Sequence, residues 1–298
     1  MARSKVWTAV SGVALGLSVA STALAQEGSP TTVDDVVVTG VSEGAITSYV
    51  SPLLEPARLG RFEGQIARWK TPVCLRVIGA TLDANTALQA KVARAITDLG
   101  VAVGRPRCSP NAIVVVAAEA DRFAAVFAQR YRARFFERGR SEQASFSRPS
   151  QPVRWRHRTR TAGADGPPVD TSAEEVNGAP RIRGVNSRLT VATMETIDRA
   201  MVVVDPQKLD MIASDALAEY LAFVILIDMP PGAAAGMNGS GRSTILRLFE
   251  DPAARLTDWD RAFVAALYRS RPNQRFQDQA AEIEQRMRRR LIRAPAAD

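Results

Sequence analysis

Histidine, cysteine and lysine are nearly missing from this chain: among 298 residues there are one His, two Cys and four Lys, the last set against 35 Arg. A single His, His157, cannot supply the pair of imidazoles that a zinc-protease helix needs. Two Cys and one remote His also fall short of the four ligands of a structural zinc site. No metal and no cofactor is therefore expected. His157 lies in Arg154-Trp155-Arg156-His157-Arg158, a stretch that reads as mobile and cationic. A base there could not be held in register with a nucleophile, so a hydrolase triad is excluded and no catalytic residue is assigned. The shortage of Lys also reaches the one segment resembling a phosphate-binding loop, Gly236-Met237-Asn238-Gly239-Ser240-Gly241-Arg242-Ser243. Arg stands where a Lys would reach the β- and γ-phosphates, and a surface loop is the expected reading. Long apolar runs are missing as well. Beyond the N-terminus nothing reaches the roughly 18 residues of a membrane span, so none is expected in the mature chain.

What is present begins with an export signal. Arg3 and Lys5 precede an apolar stretch from Val6 to Val19, and Ala23-Leu24-Ala25 is a small-x-small cleavage signature. Residues 1–25 therefore read as a signal peptide, placing the mature chain in the periplasm or outside the cell. In that oxidising setting the isolated pair Cys74 and Cys108 is expected to form a disulfide rather than remain two buried thiols. Closing a loop of that length is worth about 3–4 kcal/mol in the chain-entropy model.

The remaining chain divides by composition. Residues 26–55 are polar and read as a mobile tail. Residues 56–136 carry a β-α-β-α unit: a strand at Pro72–Gly79, a helix with Leu88, Val92, Ala95, Ile96 and Leu99 on one face and Asp83 as its cap, a buried strand at Ala112–Ala117, and a second helix from Ala120 to Phe136 with Phe123, Val126, Phe127 and Tyr131 on one side. Residues 137–184 are rich in Arg, Ser, Gly and Pro and read as a disordered insertion. Residues 185–298 form a second lobe: strands at Ser187–Ala192 and Ala200–Asp205, a long helix from about Pro206 to Ile227, a short one at Ser243–Phe249, a helix from Asp258 capped by Thr257 and Asp260, and a last helix from Phe276 to Ile292. The fold class is α/β (α+β), two lobes joined by the insertion.

The positive charge is local. Between Arg130 and Arg160 ten Arg face two Glu. Arg154, Trp155, Arg156, Arg158 and Arg160 are the candidates for contact with a polyanion. Guanidinium forks pair with phosphates, and aromatic rings settle at lipid interfaces. After export the available polyanions are lipopolysaccharide and anionic lipid, and specific nucleic-acid binding is not expected. The plain alternative is a solvated loop in an Arg-rich protein. Arg286 to Arg293 form a second basic run.

Two resemblances add to this reading. Asp34-Asp35-Val36-Val37-Val38-Thr39-Gly40 is similar to the TonB box of outer-membrane receptors, in which an extended peptide adds a strand to the energising protein. Asp35, Val36, Val37, Val38 and Thr39 would carry such a contact with an envelope protein, the alternative being a plain tail. Further on, Ala218-Glu219-Tyr220-Leu221-Ala222 keeps the Glu of a His-Glu-x-x-His zinc helix but has Ala218 and Ala222 at both His positions. With Ser243-Thr244-Ile245-Leu246 and Leu256-Thr257-x-x-Asp260, this resembles metzincin-type zinc proteases stripped of their metal ligands. The segments RAMVVVD, LAEYLAFVILID, STILRLFEDP and LTDWDRAFVAALYRS resemble more closely a family of exported alphaproteobacterial proteins with no established activity. The resemblances imply a non-enzymatic envelope interaction protein, or alternatively an inactive relative of the zinc proteases whose C-terminal lobe is a degenerate zincin.

Overall fold

Strand patterning from both halves of the chain closes into a single mixed sheet. The structure is a computed structural model and describes residues 41–58, 64–136, 139–163, 175–176, 179–180, 191–237 and 240–293. The sheet holds β1 (Arg68–Trp69), β2 (Leu75–Ile78), β3 (Ala112–Val116), β4 (Val153–Gly163) and β7 (Thr193–Val204). β5 (Glu175–Val176) and β6 (Ala179–Pro180) form a separate two-stranded antiparallel pair. β2 and β3 run parallel in register from Leu75↔Ala112 to Ile78↔Val115, and β3 runs parallel to the second half of β7. β1 pairs with the first half of β7, and β4 lies antiparallel along its other edge. β7 is thus the central strand. Its Ala200–Val204 run is buried throughout, as expected of a strand covered on both faces.

This topology corrects the two-lobe expectation. The strand that organises the sheet comes from the C-terminal half and sits beside β3 of the N-terminal half, so both share one core. The strand expected at Ser187–Ala192 lies mostly outside the described residues, and the one expected at Ala200–Asp205 starts earlier, as a twelve-residue strand from Thr193. The expectation of a disordered insertion over 137–184 fails for 140–163, which forms helix α5 (Arg140–Phe146) and strand β4. The reason is parity. Alternation along β4 sends Val153, Trp155 and His157 to one side of the sheet and Arg154, Arg156 and Arg158 to the other, so a segment that is basic by composition is amphipathic by period.

Helix α1 (Glu43–Arg58) replaces the second half of the expected mobile tail. Ile46, Tyr49, Val50, Leu53 and Leu54 recur at i, i+3, i+4, i+7 and i+8 and are all buried. They pack with α2 (Leu82–Asp98), α6 (Ser214–Leu226), the single turn α7 (Ala233–Gly236), α8 (Asp258–Arg269) and α9 (Phe276–Arg293) into the main core, which covers one sheet face. The N-cap of α2 is Thr81 and not Asp83; its side chain accepts from the Ala84 N–H. A 3₁₀ turn at Pro206–Lys208 precedes α6, which is shorter than expected because Ala213 is extended. The capping box of Thr257 and Asp260 forms as expected. On the opposite face, α3 (Ala120–Arg130), α4 (Arg132–Phe135) and α5 enclose a smaller cluster around Phe127, Phe136 and Phe146.

The disulfide joins Cys74 to Cys108, with Cα atoms 5.9 Å apart. It anchors edge strand β2 to the loop before β3. Gly104 lies against it: a Cβ there would sit 2.7 Å from the Cys108 sulfur. At the end of β2, Gly79 has φ +103° and its missing Cβ would lie 2.1 Å from the Val116 carbonyl oxygen, so no other residue fits that turn.

Candidate functional site

The residues singled out in the sequence separate into two groups. On the main-core side, His157 is buried on β4, its Nε2 3.1 Å from the Ile225 carbonyl and its Nδ1 3.7 Å from Asp228 Oδ1. It is a core residue and not part of a mobile stretch. Trp155 is buried beside it and donates its indole N–H to the Met229 carbonyl. Ala218 and Ala222 of α6 are both sealed inside the main core. Glu219 instead takes both forks of Arg255, at 2.7 and 2.9 Å, and the backbone N–H of Leu256. Burial works to raise the Glu219 carboxyl, but these bonds outweigh it and hold the group below its usual range. Among the described residues no cluster of His, Cys, Asp or Glu is placed to hold a metal.

Thr244, Ile245 and Thr257 meet at a buried carboxylate for which the sequence suggests only a capping role. Asp260 is fully buried and accepts five hydrogen bonds: from the Tyr49 hydroxyl at 2.5 Å, the Thr244 hydroxyl at 2.7 Å, and the Ile245 N–H, the Thr257 N–H and the Thr257 hydroxyl, each at 2.9 Å. One side chain ties α1, the Ser243–Leu246 turn and the start of α8 together. Burial raises its carboxyl above the usual aspartate range; burial first, and the Asp260 charge second, lift Tyr49 well above the ordinary tyrosine value. Nearby, the glycine-rich loop places Arg242 over the Trp259 ring, 5.0 Å from its centroid. Residues 238 and 239 of that loop, and the whole Asp34–Gly40 motif, lie outside the described residues.

The α3–α5 side treats its arginines differently from the exposed basic patch that was expected. Arg154 is buried, paired with Asp121, and donates to the Arg148 and Gln151 carbonyls. The Ser150 N–H first, and Arg154 second, hold the Asp121 carboxyl below its usual value. Arg156 donates to the Phe135 carbonyl at 2.6 Å and pairs with Glu142 at 2.6 Å. Arg158 and Arg160 both pair with Asp198. These four arginines chiefly staple β4 to its surroundings.

The arginines left over are on the helices. Arg130, Arg132 and Arg134 are exposed and form no ion pair among the described residues. Arg130 and Arg134 flank a groove of about 580 Å³ where α3 and α4 stand off from the sheet. Its floor is sheet surface, Ile78, Ile113, Val115 and Met201; its wall is aromatic and aliphatic, Phe123, Val126, Phe127, Tyr131 and Phe135; Arg130, Arg134, Arg158 and Arg199 line it as well. Ile78 is 44% exposed and Val126 55%. The β-register explains the opening. Arg76, Ile113 and Met201 are neighbours across the strands, as are Ile78, Val115 and Val203; the small helices bury Val115, Met201 and Val203, and the cover thins toward edge strand β2, where Ile78 is exposed. The i, i+4 spacing of Arg130 and Arg134 was readable in the sequence, but the apolar floor beside them depends on strand pairing. A second cleft of about 530 Å³ lies between α8 and α9, lined by Arg269, Arg286, Arg289 and Arg290 together with Asp258 and three alanines; there Arg286 is already paired with Glu282.

The chain combines one carboxylate-centred structural node, a disulfide and an arginine-lined apolar groove; set beside protein-family models, curated proteins and solved structures, it matches none of them.

Proposed function

We propose that this protein is an exported, non-enzymatic interaction protein of the cell envelope that contacts anionic surfaces. The observation that carries the reading is the triplet Arg130, Arg132 and Arg134, exposed on α3–α4 without an acidic partner among the described residues and next to exposed Val126 and Tyr131. Cations beside exposed apolar and aromatic side chains suit a surface that is anionic at its head groups and apolar beneath. The contact falls on these residues and not on Arg154–Arg160, whose guanidinium groups have acidic partners in the fold. The export reading is supported by the signal-like residues 1–25 and by the Cys74–Cys108 disulfide, which suits an oxidising compartment. No helix among the described residues is long and apolar enough to cross a membrane. Co-sedimentation with phosphatidylglycerol vesicles tests the proposal. Binding is expected at low salt, is expected to weaken steeply as salt rises, and should be lost when the three arginines become Ser. Equal binding to neutral vesicles would contradict it.

A second reading, an inactive relative of zinc proteases, is favoured by one observation. The three resembling segments assemble side by side, through Glu219 with Arg255 and Asp260 with Thr244. Burial of Ala218 and Ala222 weighs against a metal ever binding that helix.

A further inference from the structure

We infer that the groove between α3 and the sheet binds one long-chain fatty acid, with the acyl chain on the sheet floor and the carboxylate held by arginines of the rim. The inference shares with the proposed function the reading of this face as anion-binding, but it needs no membrane.

Three observations point to that chemistry. The first is size. A groove of about 580 Å³ falls within the roughly 300–1,000 Å³ of small-molecule sites. The second is the lining. Its interior is continuously apolar, from Ile78 on β2 across Ile113 and Met201 to Phe123 and Phe127 on α3, and it offers no acidic side chain. A chain of methylenes is the ligand such a surface desolvates at no polar cost. The third is charge complementarity. All four charged lining residues are Arg. Arg130 and Arg134 are exposed and lack acidic partners among the described residues. Arg199 spends one nitrogen on the Pro110 carbonyl. Arg158 pairs with Asp198 through Nη2, while its buried Nε–H has no acceptor. A carboxylate can take two parallel N–H donors from a guanidinium fork, so one anionic head group at the end of one apolar tail satisfies both parts of the groove.

Isothermal titration of the full chain with monomeric decanoate, dodecanoate and tetradecanoate in vesicle-free buffer tests this. Affinity is expected to rise by up to about fourfold per added methylene. The alcohol of the same length as tetradecanoate should bind at least tenfold more weakly. Two exposed changes, Arg130→Ser with Arg134→Ser, should weaken tetradecanoate at least tenfold. Val126→Glu, which places a carboxylate in the wall of the groove, should abolish binding. Circular dichroism of both variants should match that of the parent. The inference is overturned if tetradecanoate does not bind, if affinity is independent of chain length, if the alcohol binds equally, or if the variants bind like the parent. Dimerisation abolished by Val126→Glu without any fatty-acid binding would also overturn it, by assigning the groove to a second copy of the chain. Vesicle binding that persists when fatty-acid binding fails would leave the envelope-surface reading standing alone.

Discussion

On its main-core face the sheet is packed by α1, α2, α6, α8 and α9, and the buried Asp260 there accepts five hydrogen bonds, while buried Arg68 bonds the Leu267 and Ser270 carbonyls through Nη1 and leaves Nε and Nη2 without an acceptor. On its other face it meets α3, α4 and α5, and Arg130 and Arg134 form no ion pair among the described residues beside an open apolar groove. The same strands build both faces, so the difference lies in what covers them. At Asp260 the charge that organises the core is fully partnered, because the cost of an unpaired buried group exceeds the net gain of a hydrogen bond. Charge left unpartnered at the mouth of an apolar groove costs little, because water solvates it, and it stays available to a ligand.

The largest expected effect strikes the first face. Asp260→Ala would strand the Tyr49 and Thr244 hydroxyls inside the core and remove half of the capping box of α8, costing about 3–5 kcal/mol. Urea denaturation should show this as a large drop in midpoint, with Asp260→Asn retaining part of it. Replacing both Cys74 and Cys108 by Ser should cost about 3–4 kcal/mol, by freeing a loop of 34 residues' separation. The same denaturation experiment, compared with reduction of the parent, checks it. On the second face the arginines should divide. Arg154→Ser should cost about 2–4 kcal/mol by leaving a cavity and stranding the Arg148 and Gln151 carbonyls, whereas Arg130→Ser and Arg134→Ser should change stability by no more than about 0.5 kcal/mol. Equal losses from buried and exposed arginines would erase the distinction between staple and rim.

The smallest effect is one of pH. Glu219 and Glu282 are held below the free glutamate value of 4.5 by Arg255 and Leu256 and by Arg286 and Arg271, against the opposing effect of burial. A folded value below the unfolded one contributes stability that is present above 4.5 and is lost as pH falls through the lower folded value. Thermal melts should therefore decline below that pH, and Glu219→Gln should make the decline shallower.

Much of the fold was legible because its signals are local. The strand–helix–strand run through β2, α2 and β3, the capping box of Thr257 and Asp260, and the cysteine pair each depend on spacing within a short window. The misses share a cause. The Arg154–Arg160 segment was read by charge, although its period-two alternation of Arg with Val153, Trp155 and His157 was already a strand signal. α1 has a clear apolar face at i, i+3, i+4, i+7 and i+8, but residues 26–55 read as a tail by their polar composition. Asp198, Asp121 and Glu142, the acids that partner the β4 arginines, lie on other elements, so no local pattern could show which arginines were satisfied. The groove was hidden for the same reason. Val126 and Tyr131 were placed correctly on one side of α3 with Phe127, but whether that side meets a core or an opening depends on how far the neighbouring helices extend over the sheet.

Hydrogen–deuterium exchange of the full chain, with and without tetradecanoate, tests the contrast between the faces most directly. α6 and α8 should be strongly protected in both conditions. α3, β2 and the adjoining part of β3 should exchange faster without the fatty acid and slow on its addition. Uniform protection of α3 and α6 without ligand, or ligand-induced slowing centred on α8 and α9, would contradict the assignment of one sealed structural face and one open binding face.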